Sequence, residues 1–141
     1  MLLAVGLAYK SHLAEMKNTP APPHPSAFLK LPASINHPGA PIVVPPYAAE
    51  HIDFEGELAV VFGRTCHQVS AADALDYVAG YTACNDVSAR DWVHPVWNAT
   101  TPWEARWTWE VNIMGKSMHG LTQLGPVLTT ADEVGDPHDL M

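Results

Sequence analysis

Two glutamates separated by one glycine, Glu55 and Glu57, are the residues of this sequence best placed to do chemistry. They sit near the head of Asp53-Phe-Glu-Gly-Glu-Leu-Ala-Val-Val-Phe-Gly63, where Leu58 to Phe62 is apolar, β-branched and aromatic and Gly63 ends the run. That composition predicts a strand. Side chains alternate across a strand, so both carboxylates leave the same face. Side by side, leading into a run expected to be buried, they repel each other and lose hydration, and a bound cation is the most economical way to neutralise them. A third carboxylate, Asp86, lies in a second extended stretch, which a strand, turn, helix and strand would return to the start of the first. Three carboxylates with no nearby cysteine or paired histidine suit a hard, oxygen-seeking ion: Mg²⁺, Mn²⁺ or Ca²⁺ rather than Zn²⁺.

A second constellation is His12 and Glu15, at i and i+3 of a predicted short helical turn, Lys10 to Met16, which Ser11 could cap. A carboxylate bonded to one imidazole nitrogen fixes the tautomer and raises the basicity of the other nitrogen, which is how a general base is built. The same spacing also describes an ordinary surface pair.

The elements that must position these groups are partly legible. Ala4 to Tyr9 predicts a first strand. Ser70 as N-cap, Asp73 three residues later, Leu75 and Val78 on one face and a stop at Gly80 predict a helix between the two extended runs. Nine prolines between Pro20 and Pro46 exclude a helix or a central strand there. Within that region, Ser26 to Pro32 and Pro41 to Pro45 read as short extended segments joined by an Asn36-His37-Pro38-Gly39 turn. All five tryptophans fall between Trp92 and Trp109, with Trp107 and Trp109 alternating as in a strand. A packed or interface-facing aromatic loop is expected.

At 141 residues and 48% hydrophobic content the chain has room for one domain with a core. Fifteen acidic residues against seven Lys and Arg give a formal charge of −8, which argues against nucleic-acid or anionic-membrane partners. The two cysteines, Cys66 and Cys84, form neither a disulfide framework nor a metal spacing and read as small buried thiols of a reducing compartment. Met1 to Ala8 is apolar but short and lacks a basic flank, so it reads as a strand and not a signal peptide. No run approaches a membrane span. His24, His37, His51, His67 and His94 show no ligand spacing and read as loop residues.

Asp53-Phe-Glu-Gly-Glu-Leu58, followed by Asp76-Tyr-Val-Ala-Gly-Tyr-Thr-Ala-Cys-Asn-Asp-Val-Ser-Ala-Arg-Asp91, closely resembles the fumarylacetoacetate hydrolase family. The nearer relatives are its smaller members, the acylpyruvases, oxaloacetate decarboxylases and hydroxy-heptadiene-dioate isomerases. Glu-x-Glu alone is a weak signal, but its pairing with Asn-Asp-Val-Ser-Ala-Arg-Asp at this separation is specific, and the resemblance runs from about Val5 to the last residue. It implies that Glu55, Glu57 and Asp86 bind Mg²⁺ or Mn²⁺. Tyr9, His12 and Glu15 match a Tyr-x-x-His-x-x-Glu pattern whose His–Glu pair activates water or moves protons. Lys30 falls in a segment that lines the family's active site, and Arg90 supports that site. Gly115-Lys116-Ser117 with Leu124-Gly125-Pro126 matches a segment whose lysine, here Lys116, meets metal and substrate carboxylate. Four positions depart from the family pattern: Ala8 for Asn or Arg, Val93 for Gln, and Met118-His119 for Phe-Asp.

The resemblance further implies a mostly antiparallel β-roll with short helices (α+β), residues 1–141 forming a partial catalytic domain. Relatives continue past the segment matching Asp136 to Leu140 into further strands and a Gly-rich loop, so this chain is expected to be truncated at its C-terminus, poorly soluble and inactive alone. The implied function is a divalent-metal-dependent enzyme acting on C–C bonds of small 2-oxo or 1,3-dicarbonyl acids. Its chemistry would be hydrolysis of an acylpyruvate or fumarylacetoacetate type, oxaloacetate decarboxylation or a related isomerisation. A homodimer of the full domain is expected, in the cytoplasm, with the mitochondrion left open. The competing expectation is a catalytically inactive remnant or interaction module of the same family.

Overall fold

The computed structural model describes residues 1–16, 19–48 and 50–140. It opens with β1 (Leu2–Gly6) and α1 (Lys10–Glu15), and returns in β2 (Ser26–Lys30) antiparallel to β1. The first strand thus ends earlier than expected, because Leu7 takes a left-handed φ of 56°. Tyr9 and not Ser11 stands at the N-cap of α1. Leu2, Ala4 and Gly6 face Lys30, Phe28 and Ser26 across the pair, while Leu3, Val5 and Leu29 alternate onto the exposed side.

Of the two extended segments read in the proline-rich stretch, the first is β2. Pro41 to Pro45 forms no strand, and the short β3 (Ile35–Asn36) lies between them, followed by the expected turn with Gly39 at φ 74°. Then come β4 (Ile52–Asp53), β5 (Gly56–Phe62), a 3₁₀ turn (Ala74–Tyr77) and β6 (Val78–Asp86). The chain continues through β7 (Ser88–Ala89), α2 (Arg90–Val93), α3 (Pro102–Gly115), β8 (Thr122–Leu124), β9 (Thr129–Thr130) and α4 (Ala131–Val134). The main sheet has the order β3-β8-β6-β5, with β9 also on β6. Only β3–β8 is parallel within it, and β4–β7 form a separate antiparallel pair. The outcome is the expected mixed, mainly antiparallel sheet with short helices.

Three local expectations are corrected. The helix predicted from Ser70 to Gly80 is a single 3₁₀ turn. Ser70 does accept from the Asp73 N–H at 3.3 Å, but from Val78 the chain is already strand, pairing residue by residue with β5. Gly80 is not a helix stop. It lies inside β6, where a Cβ would fall 2.2 Å from the Thr129 carbonyl oxygen, so glycine lets β9 approach. The stretch holding Trp103, Trp107 and Trp109 is helix α3, not a strand-like loop. Thr101 accepts from the Glu104 N–H at 3.2 Å, Glu104 accepts from the Thr101 N–H at 3.2 Å, and Pro102 starts the helix. Cys66 is exposed and Cys84 half-buried, so neither thiol is fully buried.

The buried apolar cluster is small: Ala48, Val87, Ala89, Met118 and Leu121, with Ile42, Ile52 and Trp92 packed on it. The apolar run of β5 is not buried on both faces, since Leu58, Val60 and Phe62 remain exposed and Ala59 and Val61 turn inward. No helix of the described residues is long and apolar enough to cross a membrane.

Candidate functional site

The pairing of β5 with β6 decides the geometry of the three carboxylates. Gly56 stands opposite Asn85 and Glu57 opposite Cys84, and the Asp86 N–H donates to the Glu55 carbonyl at 2.9 Å. Residues opposite each other in an antiparallel pair share a face. Glu55, Glu57, Cys84 and Asp86 therefore leave the same side of the sheet, joined there by Thr122 of β8, opposite Asp86.

Three cations reach that face from three other elements. Lys30, the last residue of β2, is 2% exposed and contacts Asp86 Oδ1. Lys116, the C-cap of α3, contacts Glu55 Oε2 and lies 3.6 Å from Asp86 Oδ2. Arg90, the first residue of α2, places Nη2 2.8 Å from Glu55 Oε1. Asp53 holds the same guanidinium through one oxygen, at 3.0 Å from Nε and 2.9 Å from Nη2. Three carboxylates, Asp53, Glu55 and Asp86, and three cations thus alternate along one chain of contacts. Asp86 is 8% exposed, so its charge depends on these partners, because water does not hydrate it.

Lys116 reaches the site because α3 packs closely on α2. A Cβ on Gly115 would fall 2.8 Å from Trp92 Cβ and 3.0 Å from the Ala89 carbonyl oxygen. Glycine at that position lets the helix end, and the lysine after it, come down onto the sheet.

Glu57 differs from its neighbours. No ion pair reaches it among the described residues; instead the Tyr9 hydroxyl donates to it while accepting from the Leu58 N–H at 3.1 Å. Burial raises its pKa above the ordinary glutamate value, the Tyr9 bond works against that, and Glu55 and Asp86 add repulsion. Burial also raises the Tyr9 pKa. On the same face the Cys84 thiol is pushed up to about 11, by burial first and then by Asp86, so it is neutral at physiological pH.

The structure therefore brings together six of the residues singled out in the sequence: Glu55, Glu57, Asp86, Lys30, Arg90 and Lys116. The three carboxylates do not close to within 4.8 Å of one another; among the described residues the group that does is Glu50, His51 and Asp91, all exposed. His12 and Glu15 lie on α1 with Nδ1 and Oε2 3.7 Å apart and side chains 56% and 78% exposed. That separation exceeds a hydrogen bond, and neither residue contacts the carboxylates.

Two groups were missed in the sequence. Asp53 opens the motif itself, and an aspartate two residues before Glu55 on an extended run could have been read as its neighbour on the same face. His51 was read as an ordinary loop residue, yet Asp91 accepts from its backbone N–H at 3.1 Å and binds its Nδ1 at 2.6 Å. Asp91, through its hydrogen bond, raises the His51 pKa, and His51 in turn lowers that of Asp91. With the Arg90 N–H donating to the His51 carbonyl at 2.7 Å, this clasp fixes α2 against β4. Two surface clefts, of about 510 and 310 Å³, lie beside β6–β8 and between β2 and α3; neither is lined by the carboxylates or the lysines.

The sequence model described as fumarylacetoacetate (FAA) hydrolase C-terminal matches residues 2–141. The human protein named oxaloacetate tautomerase FAHD2B, mitochondrial, is 40% identical over 139 residues, covering 99% of this chain and 40% of the relative. A 4-hydroxyphenylacetate degradation bifunctional isomerase/decarboxylase of Salmonella dublin is 39% identical over 141 residues, covering 99% of this chain and 29% of the relative. Among solved structures, a fumarylacetoacetate hydrolase of Exiguobacterium antarcticum superposes with a TM-score of 0.72 at 33% identity, over 96% of this chain and 44% of that one. The chain thus spans 40% or less of the length of these curated relatives.

Proposed function

The chain belongs to the fumarylacetoacetate hydrolase family, and we propose that residues 1–141 carry the metal- and anion-binding part of an enzyme acting on small 2-oxo or 1,3-dicarbonyl acids. The observation that carries this is the β5–β6 register, which sets Glu55, Glu57 and Asp86 on one face with Lys116 at its edge. The donor set fits a hard divalent ion. All donors are carboxylate oxygens, and Glu57 is half-buried, oriented by Tyr9 and without a cationic partner among the described residues. Glu55, Glu57 and Asp86 would hold Mg²⁺ or Mn²⁺, which supplies Lewis-acid stabilisation of an enolate.

The remaining roles belong to the chain's own residues. Lys116 and Lys30 offset the carboxylate charge of an oxo acid, Lys116 being the more accessible. Arg90, locked by Asp53, fixes the direction of the Glu55 carboxylate. His12 is the proposed proton carrier, acting at carbon or on water once Glu15 closes onto its imidazole. Interconversion of keto and enol forms needs only enolate stabilisation and a proton carrier, so it is the least demanding reaction for these groups. Hydrolysis also needs a held water.

One observation favours a second reading, a non-catalytic module: each oxygen of Glu55 and Asp86 already has a protein cation beside it. Manganese titration followed by electron paramagnetic resonance separates the two. The enzyme reading expects saturable binding by the 141-residue protein, lost in Glu57→Gln and Asp86→Asn. Absence of saturable binding in the folded protein would leave the module.

A further inference from the structure

Among the described residues, Lys116 is the cation that bridges Glu55 and Asp86. Its Nζ contacts Glu55 Oε2 and lies 3.6 Å from Asp86 Oδ2, while Arg90 takes the other oxygen of Glu55 and Lys30 the other oxygen of Asp86. The ammonium therefore stands where an ion ligated by Glu55 and Asp86 together would have to be. Two positive charges placed in that one space repel each other.

The three cations differ in what they can do about it. Lys30 is 2% exposed and enclosed at the end of β2. Arg90 is tied to Asp53 through two nitrogens, and its planar guanidinium cannot leave Glu55 without breaking that fork. Lys116 sits at a helix end, has a flexible four-carbon stem and is 13% exposed. Displacement falls on Lys116.

We propose that Lys116 and a divalent ion are exclusive occupants of the space between Glu55 and Asp86, and that loading the ion releases the Lys116 ammonium to meet an incoming anionic ligand. This rests on the metal reading above and adds an order of events to it. Before loading, Lys116 is spent on Glu55 and unavailable to a carboxylate ligand. After loading it is free at the rim of the site. Metal affinity and the position of Lys116 are then reciprocally linked.

Two measurements on the 141-residue protein test this. The first compares Mn²⁺ affinity of the wild type and Lys116→Met by calorimetry: removing the competitor should tighten binding about tenfold, equivalent to about 1.4 kcal/mol. The second follows acetylation of each lysine by mass spectrometry with and without Mg²⁺. Lys116 should react severalfold faster in the presence of the ion, while Lys10 and Lys30 keep their rates. Acetylation of the wild type needs no variant, so it decides even if Lys116→Met does not fold. Unchanged Mn²⁺ affinity in Lys116→Met, or unchanged Lys116 acetylation on loading, overturns the exchange while leaving the metal site standing. Failure of the wild type to bind Mn²⁺ at all removes both.

Discussion

Replacing Lys30 with Met keeps the side chain's approximate length and removes its charge. The lysine is 2% exposed and Asp86 8% exposed, so the substitution strands a buried carboxylate. Breaking a buried pair from one side costs about 3–5 kcal/mol. Lys116, 3.6 Å from the other Asp86 oxygen, offsets part of that and places the expected loss near 3 kcal/mol, at the low end of the same range. A domain has about 5–15 kcal/mol in total, so a large fraction would go. The midpoint of thermal unfolding should fall by roughly 10 °C.

Urea unfolding followed by circular dichroism, in chelator at pH 7, measures the loss directly. A cycle with Asp86→Asn and the double variant isolates the pair. Removing both charges should restore most of the loss, so that the two single losses do not add. A Lys30→Met protein within about 1 kcal/mol of the wild type would behave like a surface ion pair and refute the buried-network account.

Gly115→Ala gains about 1 kcal/mol of helix propensity but drives a Cβ to 2.8 Å from Trp92 Cβ, an overpacking expected to cost about 1–3 kcal/mol. The net result in urea unfolding should be a loss, accompanied by a changed acetylation rate at Lys116. Thr101→Ala removes the acceptor for the Glu104 N–H and should cost about 1 kcal/mol in the same assay. The Glu57 pKa is raised in the folded protein, so the stability it contributes is complete below the ordinary glutamate value and is lost as pH rises through the raised one. Glu57→Gln, measured in chelator, should therefore be more stable than the wild type at pH 7 and equal to it near pH 4, the ordinary glutamate range. A stability difference unchanged between those two pH values would refute that account.

The carboxylate face was legible because its signal is local. Glu55 and Glu57 lie two residues apart on one strand, and a period of two places both on one side whatever the rest of the chain does. The return of Asp86 needed only an antiparallel neighbour. The connector was not legible in the same way. Ser70 and Asp73 do bond to each other, but the 3₁₀ turn starts after them, with Asp73 at its N-cap and no side-chain cap, so the capping pattern did not set a helix. Gly80 then read as a stop, although its reason is the passage of the Thr129 backbone, a contact between residues far apart in sequence. In the tryptophan stretch the alternation of Trp107 and Trp109 outweighed a stronger local signal, the Thr101–Glu104 capping box with Pro102 between them. The partners of the carboxylates were identified through family resemblance and not through spacing. Nothing in the intervals between Lys30, Arg90 and Lys116 shows that β2, α2 and α3 converge on one point.

That convergence binds stability and function together. Asp53 of β4, Arg90 of α2, Glu55 at the head of β5, Lys116 at the end of α3, Asp86 of β6 and Lys30 of β2 form one line of alternating charge. It crosses six elements that the small apolar cluster around Val87 and Leu121 joins only in part. Each charge has a neighbour of opposite sign, so no single ion in the line bears its desolvation alone. The ends differ: Asp53 is 49% exposed and Lys30 is 2% exposed, so the line runs from solvent into the interior. A cation entering at Glu55 and Asp86 strikes the middle of it. The link that opens there is the one made by Lys116, and the two halves on either side stay anchored by Asp53–Arg90 and by Lys30–Asp86.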